Sequence, residues 1–165
     1  GLGGLGHMGV KLAASFGAEV TVLSGSSHKE ADAKRLGAHE SVLTKTDGAL
    51  KTLANRYDAI LDTISAKHDI NGPLNCLKPQ GTLILVGAAP ESLDLSAFPL
   101  ILGNRRIMGS LVGGIPGTQE MLDHCGRHGI TSDIEMTTPD QINRAYERTV
   151  KGDVKYRFVI DCAEF

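Results

Sequence analysis

Hydrophobic residues recur at two different spacings along this chain, and the alternation predicts helices separated by buried strands. Met8, Leu12 and Phe16 fall four residues apart, which predicts a helix that ends at a left-handed Gly17. Continuous apolar or β-branched runs predict five strands: EVTVL (19–23), ESVLT (40–44), YDAILDT (57–63), GTLILVG (81–87) and RIMGSLV (106–112). Strands that alternate with helices are typical of a parallel sheet covered on both faces, so we predict an α/β fold.

Capping signals and spacing predict four further helices. Ser27 and Glu30 have the spacing of a capping box, which predicts a helix that ends at Gly37. The segments GALKTLANR (48–56) and TQEMLDHCGRHG (118–129) predict two more helices. Near the C-terminal end, Thr138 and Gln141 predict a second capping box with Pro139 at the first helical position.

Residues 130–165 have an organisation of their own. The runs SDIEMTT (132–138) and VKYRFVID (154–161) predict strands on either side of the helix that Thr138 begins. That helix has a predicted inner face made of Ile142, Ala145, Tyr146, Thr149 and Val150. We therefore predict a boundary near residue 129, with one unit at 1–129 and another at 130–165.

Composition narrows the function classes. The net charge is −2, and no aromatic residues are set among clustered Lys and Arg, so we expect no nucleic-acid partner. No apolar run approaches the ~20 residues of a membrane span, so we expect no membrane partner. Cys76, Cys125 and Cys162 are far apart and odd in number, which favours free thiols in the cytoplasm over disulfides or a zinc ribbon.

The chain opens with a glycine-rich loop that is typical of dinucleotide binding. Gly1, Gly3 and Gly6 form G-x-G-x-x-G directly before a predicted helix. The first glycine permits a tight turn, the second lets the backbone approach a pyrophosphate, and the third lets helix and strand pack closely. The N-terminus of the helix then offers unpaired N–H groups to the phosphates.

The turn after EVTVL indicates which dinucleotide is bound. An NAD site places Asp or Glu there to bind the ribose 2′-hydroxyl, but this chain has SGSSHK at positions 24–29. Three hydroxyl groups, a lysine and a helix N-terminus form an anion site. We therefore predict NADP, bound at its 2′-phosphate; the alternative is a solvated turn that only caps the next helix.

Several motifs together resemble one branch of a known family. GLGGLGHMGVKLA, DTISAKHD, LNCLKPQGTLILVG, IMGSLVGG, TQEMLDHC and VKYRFVID resemble the cinnamyl-alcohol-dehydrogenase-like branch of the zinc-dependent medium-chain alcohol dehydrogenases. The resemblance extends over essentially the whole chain. It implies a Rossmann doubly wound sheet for residues 1–129, and for 130–165 a segment that returns to a catalytic domain.

The same resemblance implies a set of cofactor-binding residues. Thr63 and Gly87 are expected beside the adenosine and ribose, and Arg157 near the pyrophosphate. The complete set is Gly1, Leu2, Gly3, Gly4, Leu5, Gly6, Ser24, Gly25, Ser26, Lys29, Thr63, Gly87, Ser110, Leu111, Val112 and Arg157. Of these, Ser110, Leu111 and Val112 are expected to contact the nicotinamide through their backbone.

In that family, hydride passes between the nicotinamide and a primary alcohol or aldehyde, and a catalytic zinc polarises the substrate oxygen. The zinc ligands lie upstream of the glycine loop, so the resemblance implies no metal ligand and no catalytic residue within these 165 residues. It also implies a homodimer, and the apolar run FPLIL (98–102) favours an interface. Two alternatives remain open: a zinc-free quinone oxidoreductase of the same superfamily and a non-enzymatic nucleotide-sensing domain.

The position of the glycine loop predicts that a strand is absent from the chain. Such a loop follows the first strand of the sheet, which lies centrally in the order 3-2-1-4-5-6, yet here the loop begins at Gly1. We expect that strand, and the zinc motifs, on residues that precede Gly1.

Four other residues are assigned mainly structural roles. His7 is expected on the helix surface or near phosphate, and Asp62 at a strand end. His124 and His128 lie four apart but are expected to interact with the helix dipole and not with a metal.

Overall fold

Strands and helices alternate through residues 1–164, the part of the chain that the computed structural model describes. The α-helices are α1 (Gly4–Ser15), α2 (Glu30–Arg35), α3 (Asn71–Cys76), α4 (Phe98–Gly103), α5 (Ile115–His128) and α6 (Ile142–Val150). The strands are β1 (Thr21–Ser24), β2 (Glu40–Leu43), β3 (Tyr57–Asp62), β4 (Leu77–Leu85), β5 (Arg106–Gly109), β6 (Glu135–Thr137) and β7 (Phe158–Ile160). No helix described in residues 1–164 is both long and apolar enough to cross a bilayer.

All strand pairs are parallel, as the alternating pattern predicts. β1 pairs with β2, and β3, β4 and β5 form a second sheet in that order. In the Rossmann order 3-2-1-4-5-6, β2 and β1 take positions 3 and 2, and β3, β4 and β5 take positions 4, 5 and 6. The central position 1 is open. The α/β Rossmann-like fold is therefore confirmed, and no strand of residues 1–164 lies between β1 and β3.

An open groove separates the two sheets. Residues of α1, β1 and β3 line this groove of about 570 Å³, including Val10, Val22 and Ile60. One buried cluster lies beside it around Leu2, Val10 and Val22, and a second is formed by Ile70, Leu74, Leu77 and Leu83. The hydrophobic core is thus divided in two where a central strand would join it.

Residues 130–164 pack on α1 and α2 as a separate two-stranded unit. β6 pairs in parallel with β7. Asp133 accepts hydrogen bonds from Lys11 of α1 at 2.5 Å and from Arg35 of α2 at 2.7 Å. Tyr156 is buried in the first core cluster, and burial raises the pKa of its phenol to about 12. These contacts attach the segment to α1, α2 and the first core cluster.

Neither predicted capping box forms. The helix after β1 begins with a 3₁₀ turn (Ser27–Lys29) that moves the N-cap to Ser26, and Glu30 binds Lys34 at 2.8 Å instead. At the later helix, both residues of the predicted capping box bind Asp140 instead. Its carboxylate accepts from the Thr138 hydroxyl at 2.6 Å and from the side-chain amide of Gln141 at 2.8 Å. Pro139 does lie in the first turn, as predicted.

Several element predictions are wrong in extent or in the face that is buried. The strands predicted at 132–138 and 154–161 are shorter, at Glu135–Thr137 and Phe158–Ile160. Residues 48–56 form only a 3₁₀ turn (Lys51–Leu53), because left-handed Gly48 and Asn55 end any helix on both sides. Strand β5 stops at Gly109, because its partner β4 ends opposite it at Leu85. On α6 only Ala145 is buried, whereas Tyr146 and Val150 of the predicted inner face are exposed.

Candidate functional site

The glycine loop leads directly into α1. Gly3 is the N-cap residue with an extended backbone, and no side chain caps the first turn, so its N–H groups are available to an anion. A Cβ atom on Gly3 would meet nothing within 4 Å, which leaves space for a cofactor. A Cβ atom on Gly6 would coincide with the carbonyl oxygen of Gly1, so only glycine fits there. The loop therefore fits the phosphates of a dinucleotide.

Three side chains hold the loop through its carbonyl groups. The Thr63 hydroxyl donates to Gly1 at 3.1 Å, the Lys29 ammonium donates to Leu2 at 3.0 Å, and the Arg157 guanidinium donates to Gly4 at 3.3 Å. These side chains come from three distant parts of the chain, and the fold gathers them at the glycine loop. Of the three, Arg157 was predicted there, whereas Lys29 was predicted at the 2′-phosphate and Thr63 beside the adenosine and ribose. The two leucines of the loop differ in exposure: the side chain of Leu2 is buried in the core, and that of Leu5 is half exposed.

The turn after β1 presents hydroxyl and cationic groups. The buried hydroxyl of Ser24 accepts from the Ser26 backbone N–H at 3.2 Å, and the Ser26 hydroxyl lies 2.8 Å from Nδ1 of His28. Exposed Gly25 lies beside Lys45, whose Cε would be 3.3 Å from a Cβ atom on Gly25. Sequence reasoning missed Lys45, because it follows β2 and only the pairing of β1 with β2 brings it here.

The carboxyl ends of β3, β4 and β5 lie along the same sheet edge. Gly87 follows β4, and its N–H donates to the carbonyl of Asp62 at 3.1 Å. Ser110 follows β5, and its N–H donates to Leu85 at 3.0 Å. Leu111 and Val112 continue from it with nearly full exposure, 90% and 86%. The fold thus aligns the predicted adenosine side at Thr63 and Gly87 with the predicted nicotinamide side at Ser110–Val112.

His7 is neither a surface nor a phosphate residue, contrary to both expectations. Its imidazole is fully buried and stacks on Tyr156 with the ring centroids 4.7 Å apart. Nδ1 lies 3.2 Å from the Gly3 carbonyl, and Nε2 accepts from the Asp133 N–H at 3.4 Å, which requires the neutral Nδ1–H tautomer. The pKa of His7 is lowered, mainly because the ring is buried. The ring joins the glycine loop to the C-terminal segment.

One of the paired histidines of α5, His124, packs against the C-terminal end of α1. The His124 ring stacks on Phe16 with the centroids 4.3 Å apart, and its Nε2 lies 2.8 Å from the Ser15 hydroxyl. Burial and the neighbouring charges of His128 and Arg127 lower the pKa of His124. Within residues 1–164 no group of three or more His, Cys, Asp or Glu side chains could hold a metal ion. These residues by themselves therefore do not fit a zinc ion.

The chain matches known proteins over nearly its whole length. Residues 4–127 match the family model described as zinc-binding dehydrogenase. Alcohol dehydrogenase 9 of Catharanthus roseus is 52% identical over 99% of this chain and 46% of its own length. The chain thus spans about half the length of the curated relatives it matches.

Solved structures agree at the level of the fold. A cinnamyl alcohol dehydrogenase of Sorghum bicolor superposes with a TM-score of 0.96 at 47% identity, over 99% of this chain and 46% of that one. The protein called CAD from Helicobacter pylori, complexed with NADP(H), superposes with a TM-score of 0.89 at 38% identity, over 99% of this chain and 47% of that one.

Proposed function

Because the chain belongs to the zinc-binding dehydrogenase family, we propose that it is the cofactor-binding part of an NADP(H)-dependent alcohol dehydrogenase or aldehyde reductase. The single observation that carries the choice of cofactor is the turn after β1. It has no carboxylate between Ser24 and Lys29, and it brings hydroxyl groups and Lys45 to the ribose position. The Lys29 ammonium donates to the carbonyl of Leu2 in the adjoining glycine loop. The solved relative named as complexed with NADP(H) supports the same choice.

In this proposal each part of the site has a separate task. The loop Gly1–Gly6 and the first turn of α1 bind the pyrophosphate, with Arg157 beside them. Ser24, Gly25, Ser26 and Lys29 hold the 2′-phosphate, and Lys45 adds charge from β2. The backbone of residues 110–112 orients the nicotinamide. When bound, the nicotinamide gives or takes the hydride that interconverts a primary alcohol and its aldehyde.

The remainder of the enzyme is also a proposal. The groove between β1 and β3 has the position of the central strand, and we assign it to a strand that precedes Gly1. The zinc that polarises the substrate is assigned to ligands on that same upstream part, as the family resemblance implies. The segment 130–165 is assigned to the contact with the catalytic domain, and exposed Tyr146 and Val150 are available for it.

Assembly and location complete the proposal. We assign a homodimer, because α4 exposes Phe98, Ile101 and Leu102 together. We assign the cytoplasm, because Cys76, Cys125 and Cys162 are free thiols.

Cofactor preference tests the proposed function. Lys29→Ala combined with Ser24→Asp removes a cation and puts a carboxylate at the end of β1, so NADP should be weakened roughly 10²-fold relative to NAD. The measurement is the Kd of both cofactors for the full-length enzyme by calorimetry. Lys151→Ala, in the turn after α6, is the matched control and should change neither Kd. Equal binding of both cofactors with no change in the double variant would contradict the proposal.

A further inference from the structure

The loop between β3 and α3, residues 63–69, depends on the carboxylate of Asp62. This loop contains no helix or strand. Asp62 is the last residue of β3 and is 8% exposed. Its Oδ1 accepts from the Ile64 N–H at 3.0 Å, and its Oδ2 lies 2.7 Å from Nε2 of His68. One carboxylate therefore holds both the start and the end of the loop.

His68 carries protons on both ring nitrogens. Nε2 faces the Asp62 carboxylate, and Nδ1 lies 2.7 Å from the carbonyl oxygen of Ala66. A carbonyl and a carboxylate only accept hydrogen bonds, so the ring must donate twice and is an imidazolium. Burial alone lowers the pKa of His68, but the bonds to Ala66 and Asp62 and the charge of Asp62 together leave it raised.

Few other charges face this ring. The carboxylate of Asp69 is used by the backbone N–H groups of Asn71 and Gly72, at 2.9 and 3.0 Å. Lys67 is directed to Asp94 at 3.9 Å. Asp62 is thus the acidic partner of His68.

The loop connects this pair to the cofactor site. Thr63 donates to Gly1 of the glycine loop. The backbone of Ile64 abuts Gly87 so closely that a Cβ atom on Gly87 would lie 2.5–2.6 Å from it. A shift of the loop would therefore move the surfaces expected at the pyrophosphate and the ribose.

We propose that Asp62 and His68 are positioning residues that hold the 63–69 loop in the conformation that binds NADP. This inference rests on the proposed function and identifies residues that make binding at the same site depend on pH. Loss of the imidazolium proton leaves two acceptors facing each other at one ring nitrogen, so one of the two contacts must break. The contribution of the imidazolium of His68 to the position of the loop is present at low pH. It is lost as the pH rises through the raised pKa of His68.

NADPH affinity against pH, measured on the full-length enzyme, tests the pair. Between about pH 7 and 9 the 2′-phosphate is almost wholly a dianion, so its own titration contributes little to the profile. The unsubstituted enzyme should lose about tenfold in affinity across the pKa of His68, and His68→Ala should bind weakly at every pH. His68→Gln keeps one donor that does not titrate, so it should restore affinity without the pH dependence. His128→Gln is the matched histidine control and should keep the original profile.

Asp62→Asn removes the negative charge of residue 62 and keeps the shape of its side chain. Its amide can still accept from Ile64 and can donate to a neutral His68, so the affinity should become independent of pH. Nitrogen NMR shifts of the His68 ring give an independent measurement, and they should report an imidazolium at pH 6.5 in the unsubstituted enzyme. A neutral ring at that pH, or an unchanged pH profile in His68→Ala, would overturn the positioning role while leaving the proposed function intact. Absence of NADPH binding by the unsubstituted enzyme would overturn the proposed function itself.

Discussion

Gly3 and Gly6 belong to one motif but have different surroundings. Space is open around Gly3, whereas a methyl group on Gly6 would overlap the Gly1 carbonyl and press on the Thr63 hydroxyl at 3.3 Å. Gly6 is therefore required for the fold of the loop itself, whereas our proposal requires Gly3 for the approach of the cofactor.

Alanine substitutions at these two residues should separate the two requirements. Gly6→Ala should lower the melting temperature and abolish cofactor binding, because overpacking at a tight contact costs about 1–3 kcal/mol or more. Gly3→Ala should leave the melting temperature unchanged, since its backbone is extended, but should weaken NADPH binding at least tenfold. Thermal unfolding and NADPH titration measure the two effects. A Gly6→Ala enzyme with normal stability would contradict the overlap.

At the scale of elements, an ion-pair network joins the C-terminal segment to α1 and α2. Asp133 binds Lys11 and Arg35, and Lys155 binds Asp32 of α2 at 2.7 Å. The hydrogen bond from Lys11 is the largest cause that lowers the pKa of Asp133. Because one carboxylate holds two helices, the network matters more than an isolated surface pair.

Asp133→Asn should loosen this segment. The expected loss is about 1–2 kcal/mol of unfolding free energy at neutral pH. The ionised carboxylate stabilises the fold fully above the pKa that Asp133 has in the unfolded chain. This stabilisation is lost as the pH falls through the lower pKa of the folded state. The difference in unfolding free energy between the variant and the unsubstituted enzyme should therefore shrink below about pH 4. Urea unfolding at several pH values measures it. Asp47→Asn, which removes no ion pair described within residues 1–164, should have no effect; equal effects of both variants would refute the role of the network.

At the scale of the whole molecule, apolar surface is concentrated on α4. Phe98, Ile101 and Leu102 are 72%, 71% and 81% exposed on the helix that directly precedes β5, an edge strand of the three-stranded sheet within residues 1–164. An unpaired edge strand and a neighbouring apolar helix are both features of an interface. This arrangement supports the proposed homodimer.

Ile101→Glu should dissociate the dimer. A charge placed in an apolar interface remains unpaired on burial, so association should weaken at least tenfold. Sedimentation or light scattering of the full-length enzyme at micromolar concentration measures it. Leu122→Glu on α5, an exposed apolar residue that is assigned to no interface, is the control and should leave the dimer intact. An unsubstituted enzyme that is monomeric would contradict the proposal.

The sequence by itself determined the order of the strands along the chain and the family of the chain. It did not predict α3 or α4, and the helix that it predicted at 48–56 is only a 3₁₀ turn. Hydrophobic spacing is a local property, and left-handed Gly17 and Gly129 end their helices as predicted, with φ of +78° and +63°. The glycine motif likewise marked the start of α1 without any tertiary information.

Only the tertiary structure decided which groups bind one another. Asp140 displaced the predicted capping partners, Tyr156 buried His7, and β2 brought Lys45 to Gly25. The ion pair of Asp62 and His68 joins residues only six apart, yet a loop without regular backbone bonding has no periodic pattern from which its contacts could be derived. Polar partners are chosen by competition among groups that the fold brings together, and hydrophobic periodicity does not encode that competition.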